Sequence, residues 1–134
     1  METQFVNPPT IATPRGYTHV VTAAQGKMVF ISGQVSFNVK GELVGKGDLR
    51  AQTTQVYENL KNALAAVGAT FADVVKLNTY VVDFKPADLS AIREVRAQYF
   101  PNAERMPAST LVGVQALAFE GLLIEIEAVA LVKE

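Results

Sequence analysis

A strand running Leu123-Ile124-Glu125-Ile126-Glu127-Ala128-Val129-Ala130-Leu131-Val132 puts Ile124, Ile126, Ala128, Ala130 and Val132 on one face. Leu123, Glu125, Glu127, Val129 and Leu131 point the other way. Both faces carry large apolar groups, so both need covering. The rest of the chain offers two helical stripes, enough to cover one face of a sheet. A sheet that is apolar on both sides with helices on one must bury the remainder against copies of itself, most economically in a closed ring. A homo-oligomer is expected.

The other elements follow from periodicity and turn chemistry. Residues 1–16, with Pro8, Pro9 and Pro14, read as an N-terminal arm without a regular ladder, leading to Gly16-Tyr17. Residues 19–23 and 28–35 are β-rich and flank Gln25-Gly26-Lys27, which predicts a hairpin. Asp48 is an N-cap type, and Leu49, Thr53, Val56, Leu60, Ala63, Leu64 and Val67 recur at helical spacing up to Gly68. Residues 74–82 read as a strand ending at Asp83, and Leu89, Ile92, Val95 and Tyr99 form a second helical stripe closed by Pro101. Residues 110–117 and 122–132 complete the order ββαβαββ, an α+β arrangement in one domain of 134 residues.

Composition removes many functions. The chain has no Cys and a single His, His19, so it has no thiolate nucleophile, Cys-based metal site or H-E-x-x-H pair, and no metal is expected. His19 reads as structural. A net charge of −1 with scattered Lys and Arg supplies no field for RNA or DNA. The longest uncharged stretch, residues 106–119, is 14 residues long and contains a Pro, short of the ~20 needed to span a membrane. Glu2 stands where a signal peptide carries base, and a cytoplasmic location is expected.

Three groups could carry chemistry. Glu125 and Glu127 share a strand face that assembly would bury; desolvation raises a carboxylate's pKa toward the useful range, whereas an exposed face would make both ordinary surface acids. Ile31-Ser32-Gly33-Gln34 sets a hydroxyl and a Gly inside an apolar strand, either to admit a ligand through a bulge or as a plain strand end. Arg93 and Arg96 lie one turn apart, as a solvated flank or as a bidentate holder for a small carboxylate.

Gly16-Tyr17, Ile31-Ser32-Gly33-Gln34, Asn59-Leu60 with Gly68, Asp73-Val74-Val75-Lys76, Pro107-Ala108 and Ile124-Glu125-Ile126-Glu127-Ala128-Val129-Ala130 together resemble the RidA family, also called YjgF-like or L-PSP proteins. The resemblance implies a chorismate-mutase-like fold, with a mixed sheet carrying two helices on one face. It also implies a homotrimer with sheets inside and clefts between subunits. Active members hydrolyse reactive enamines and imines to keto compounds and ammonia without a cofactor, so the implied ligand is an imine, an enamine or something like a keto acid. By the same resemblance Glu125 positions water and protons with Tyr17 and Ser32 beside it. Arg93, Gly33, Ser109, Thr110 and Leu111 line the substrate position.

One position departs from the family. Active deaminases read Pro-Ala-Arg-Ser where this chain reads Pro107-Ala108-Ser109-Thr110, and that Arg grips the substrate carboxylate. Losing such a pair costs about 2 to 5 kcal/mol. Arg93 aligns with a cleft-lining Asn of active members, so either it supplies the grip from another wall or it points outward. The second class of function is accordingly a trimeric module that binds a small metabolite, or regulates, without turnover.

Overall fold

The computed structural model describes residues 3–133. Met1 and Glu2, the first two positions of the expected arm, and Glu134 lie outside them. Helix α1 spans Leu49–Ala65, opened by Asp48, whose carboxylate accepts from the Ala51 amide at 3.0 Å. Thr53, Val56, Leu60 and Leu64 are buried at the expected spacing, joined by Gln52 and Tyr57. Gly68, at φ +76°, takes the left-handed position that ends the turn, so the expected Val67 falls beyond the helix and is exposed. Helix α2, Asp88–Tyr99, buries Ile92 and Val95. Among the described residues no helix is long and apolar enough to cross a membrane.

The described residues form six strands: β1 (Gln4–Val6), β2 (Val20–Thr22), β3 (Lys27–Gln34), β4 (Val74–Val82), β5 (Ala108–Val114) and β6 (Ile124–Val132). The four longer ones form a mixed sheet in the order β3-β6-β4-β5, antiparallel except for the parallel pair β4/β5, which α2 connects. Ile124, Ile126, Ala128 and Ala130 of β6 join Leu77 and Val81 of β4 in one core with Val56, Leu60 and Leu64 of α1 and Ile92 and Val95 of α2. Both helices thus pack on one face, as the family resemblance implies.

The first hairpin is corrected. Strand β2 pairs with β1, in the register Gln4↔Thr22 to Val6↔Val20, and β3 pairs with β6. The three-residue β1 ends before Pro8-Pro9, so the prolines that appeared to forbid a ladder in the arm do not interrupt it. The turn between β2 and β3 is real, with Gln25 at φ 63°. At Gly26 the chain presses on the end of β6, where a Cβ would stand 2.6 Å from the Val132 carbonyl. The arm is pinned further by the Arg105 guanidinium 4.8 Å over the Phe5 ring and by two contacts of His19. The His19 backbone N–H donates to Asn7 at 2.8 Å, and its ring Nε2 lies 2.7 Å from the Ala12 carbonyl. His19 is a structural residue. Strand β5 also begins two residues earlier than expected and ends at Val114.

Gln52, fully buried, ties α1 to the chain entering β6. Its amide nitrogen donates to the Gly45 carbonyl at 3.1 Å and to Gly121 at 2.9 Å, and its oxygen accepts from the Leu123 amide at 2.9 Å. Gln52→Leu strands these three backbone groups without partners and is expected to cost about 2–4 kcal/mol in urea unfolding.

Tyr57 stacks on Tyr99 at 5.0 Å, with Phe71 and Phe100 at the edges, and the Tyr99 hydroxyl donates to Glu58 at 2.6 Å. Burial, followed by the hydrogen bond to Glu58 and its charge, pushes the Tyr99 phenol up to about 12; burial raises Tyr57 as well. A raised phenol keeps its proton more tightly folded than unfolded, so its stabilisation is complete below about pH 10 and disappears as pH climbs toward 12. The melting temperature is expected to fall across that window, and Tyr99→Phe to flatten part of the fall.

Candidate active site

At the β3 edge the pairing shifts between Ile31↔Ala128 and Gln34↔Ile126, so Ser32-Gly33 forms a bulge. The Glu125 side chain fills the space a Gly33 side chain would need: a Cβ there would lie 2.6 Å from its Cδ and 2.8 Å from its Cγ, and would overlap a carboxylate oxygen. Glycine at 33 is what lets this acid lie against the strand. Ser32 is exposed beside it. Asn59 of α1 holds the chain leaving the bulge by donating to the Val35 and Phe37 carbonyls, both at 2.9 Å, beside a recess of about 330 Å³.

The helix-free face of the sheet continues from Glu125. Opposite it in register is Tyr80, and opposite Glu127 is Asn78. Glu127 accepts from the Asn78 amide at 3.1 Å and the Tyr80 hydroxyl at 3.3 Å. Burial, then the Glu127 charge and hydrogen bond, then the Glu125 charge, raise the Tyr80 phenol. The two acids are therefore distinct: Glu127 is held by two donors of its own sheet, while Glu125 lies in the space left by Gly33. On the same face Lys76 donates to the Thr110 hydroxyl at 3.0 Å, and Phe30 and Met28 are 74% and 59% exposed.

The other candidates gather at the β5 edge. The Thr18 amide donates to the Pro107 carbonyl at 3.2 Å, which fixes Tyr17 beside the start of β5. A cavity of about 710 Å³ opens between the arm and α2, with Tyr17, Arg93 and Arg96 in its lining. Ser109 pairs with buried Leu77 and is half-buried, and Leu111 packs on the core. The fold thus brings Glu125 together with Ser32 and Gly33, and Tyr17 together with Arg93. Glu125 reaches from β6 toward the edge strand β3, whereas Tyr17 stands beside the edge strand β5 with Arg93 on α2, so the two groups lie toward opposite edges of the sheet. Among the described residues no three His, Asp or Glu side chains converge as a metal site.

The model of the family described as endoribonuclease L-PSP matches residues 9–132. The chain belongs to this RidA/YjgF family. Within the family it is 42% identical over 115 residues, 85% of each chain, to a RutC family protein of Pyrococcus horikoshii. It is 30% identical over 131 residues, 97% of each, to a protein of Dermatophagoides farinae named 2-iminobutanoate/2-iminopropanoate deaminase. A Rid-family structure from Yersinia pestis superposes with a TM-score of 0.91 at 47% identity, covering 98% of this chain and all of the other. The RidA-type α+β fold is shown.

Sequence reasoning singled out Glu125 and Glu127 but missed Asn78 and Tyr80, the residues that tell the two acids apart. The signal was present: alternation in residues 74–82 puts Lys76, Asn78 and Tyr80 on a single face.

Proposed function

We propose that the protein hydrolyses reactive imines or enamines of 2-oxo acids to the keto compound and ammonia, as a ring of three copies in which the β3 edge of one meets the β5 edge of the next. The observation carrying this is the Glu125 carboxylate lying in the space that Gly33 leaves open, at a bulge whose other residue is the exposed Ser32. Imine deamination is represented in the family by the mite relative. A net charge of −1 argues against the RNA cleavage in the family's description.

In this reading Arg93 holds the substrate carboxylate, replacing the Arg absent at Ser109. The Tyr17 hydroxyl of the same copy and the Ser32 hydroxyl of the neighbouring copy orient the imine. Glu125 of the neighbouring copy positions a water; as the water oxygen bonds to the imine carbon, the carboxylate takes its proton and passes it to nitrogen. The carboxylate then takes the hydroxyl proton of the resulting carbinolamine and delivers it to nitrogen as the C–N bond breaks, so that ammonia leaves and a carbonyl remains. The steps need no cofactor. The apolar helix-free face, with exposed Phe30 and Met28, is covered by the other copies.

Glu125→Gln is expected to lower hydrolysis of freshly generated 2-iminopropanoate by about 10²- to 10⁴-fold with the light-scattering mass of the trimer unchanged. Gly33→Ala, which displaces the carboxylate, should lower it as well, and Glu127→Gln far less. Equal losses at Glu125 and Glu127 would remove Glu125 from the chemistry. A wild-type protein that binds keto acids without turnover would be the binding module instead.

A further inference from the structure

The cavity between the arm and α2 is much larger than a three-carbon acid requires. At about 710 Å³ it lies in the range of pockets that enclose drug-sized ligands, roughly 300–1,000 Å³. Its walls are mostly apolar, among them Pro8, Pro14, Phe100 and Met106. Against them stand two guanidiniums, Arg93 and Arg96, and among the described residues no acidic one lines the space. Among the described residues neither Arg has a carboxylate within ion-pair distance; the two ion pairs found are Arg50–Glu94 and Lys85–Asp83.

Arg96 is placed, not merely present. It is half-buried, and its guanidinium lies where a Gly16 side chain would be: a Cβ there would stand 2.6 Å from Nη2 and 4.0 Å from Nε of Arg93. Desolvation makes Arg96 hold its proton less tightly; the Tyr57 phenol opposes this, and the neighbouring Arg93 charge adds to it. A half-buried Arg96 and an exposed Arg93 bordering an apolar recess, with no counter-ion among the described residues, are stabilised by an anion from outside. Arg96 also sits in the last turn of α2, where a cation favours the helix terminus, but that role asks for nothing from Gly16 or from the cavity.

We propose that this cavity takes an organic acid with a large apolar body, the acid group seated between Arg93 and Arg96 and the body lying along the Pro8, Pro14, Phe100 and Met106 wall. The inference deepens the hydrolase reading and rests on it for one feature, that the ligand is a 2-imino or 2-oxo acid. It makes imines of aromatic or long-chain amino acids the preferred substrates, with Arg96 as a specificity residue.

The test is calorimetric titration of the wild-type protein with phenylpyruvate, pyruvate and the neutral ketone phenylacetone, repeated with Arg96→Met and the conservative Arg96→Lys. Phenylpyruvate is expected to bind at least about 10-fold tighter than either other probe, from burial of the ring relative to pyruvate and from the charge relative to phenylacetone. Arg96→Met should weaken phenylpyruvate by about 10-fold or more and leave phenylacetone unchanged, and Arg96→Lys should retain part of the affinity. Pyruvate binding as tightly as phenylpyruvate overturns the proposal, as does phenylacetone binding as tightly. The wild-type comparison stands even if a variant does not fold. Phenylpyruvate bound as expected without turnover of the phenylalanine-derived imine would sink the hydrolase reading and leave the site. Rapid turnover of 2-iminopropanoate without preferential phenylpyruvate binding would do the reverse.

Discussion

Strand β6 is hydrogen-bonded on both sides, between β3 and β4, and the rest of the molecule is placed by it. Its even-numbered residues from Ile124 to Ala130 are buried beneath the two helices. Its odd-numbered residues cannot share that core, because successive side chains alternate faces and a one-residue slip would exchange the two sets. Glu125 and Glu127 are thereby committed to the helix-free face whatever their chemistry. The bulge at Ser32-Gly33 then gives one of them room against β3, while Asn78 and Tyr80 of β4 hold the other.

Most of this architecture was legible in the sequence because it rests on local signals. Residues 74–82 are a β-branched run bounded by Asp73 and Asp83 and appear as β4 without change, and Asp48 caps α1 as its side chain suggests. What failed was partner choice. Val20–Thr22 is a strand, but nothing in its own residues says that it pairs with the arm and not with the neighbour across Gln25-Gly26. Pro8 and Pro9 obscured β1, since a three-residue ladder can precede a proline that a longer one cannot contain. Gln52 was illegible for a different reason. A polar residue on a helix stripe reads as surface until three backbone groups are seen to converge on it.

The candidate site could be named from the sequence as a set of residues but not as a geometry. Glu125, Ser32 and Gly33 gather at the β3 edge, while Tyr17 and Arg93 gather at the β5 edge, and no sequence pattern encodes that separation. A chain whose candidate acid and candidate anion holder sit on opposite edges has a simple way to join them, through contact with another copy. In the proposed trimer the same contact would cover the exposed Phe30 and Met28. Ser109 is paired in register with Leu77 on the helix side, and in the proposed cleft the cationic part falls to α2, whose Arg93 and Arg96 have no ion pair among the described residues.

Subunit mixing tests that shared cleft most directly. Glu125→Gln chains and chains carrying Arg93→Met with Arg96→Met are each expected to be inactive alone. After they are unfolded together at equal amounts and refolded, random assembly places an intact carboxylate opposite intact arginines in about one cleft in four. Imine hydrolysis should return to about a quarter of the wild-type rate. A mixture as inactive as its components, with trimers formed and subunits exchanged, would contradict the account by showing that both sets of residues must belong to one chain.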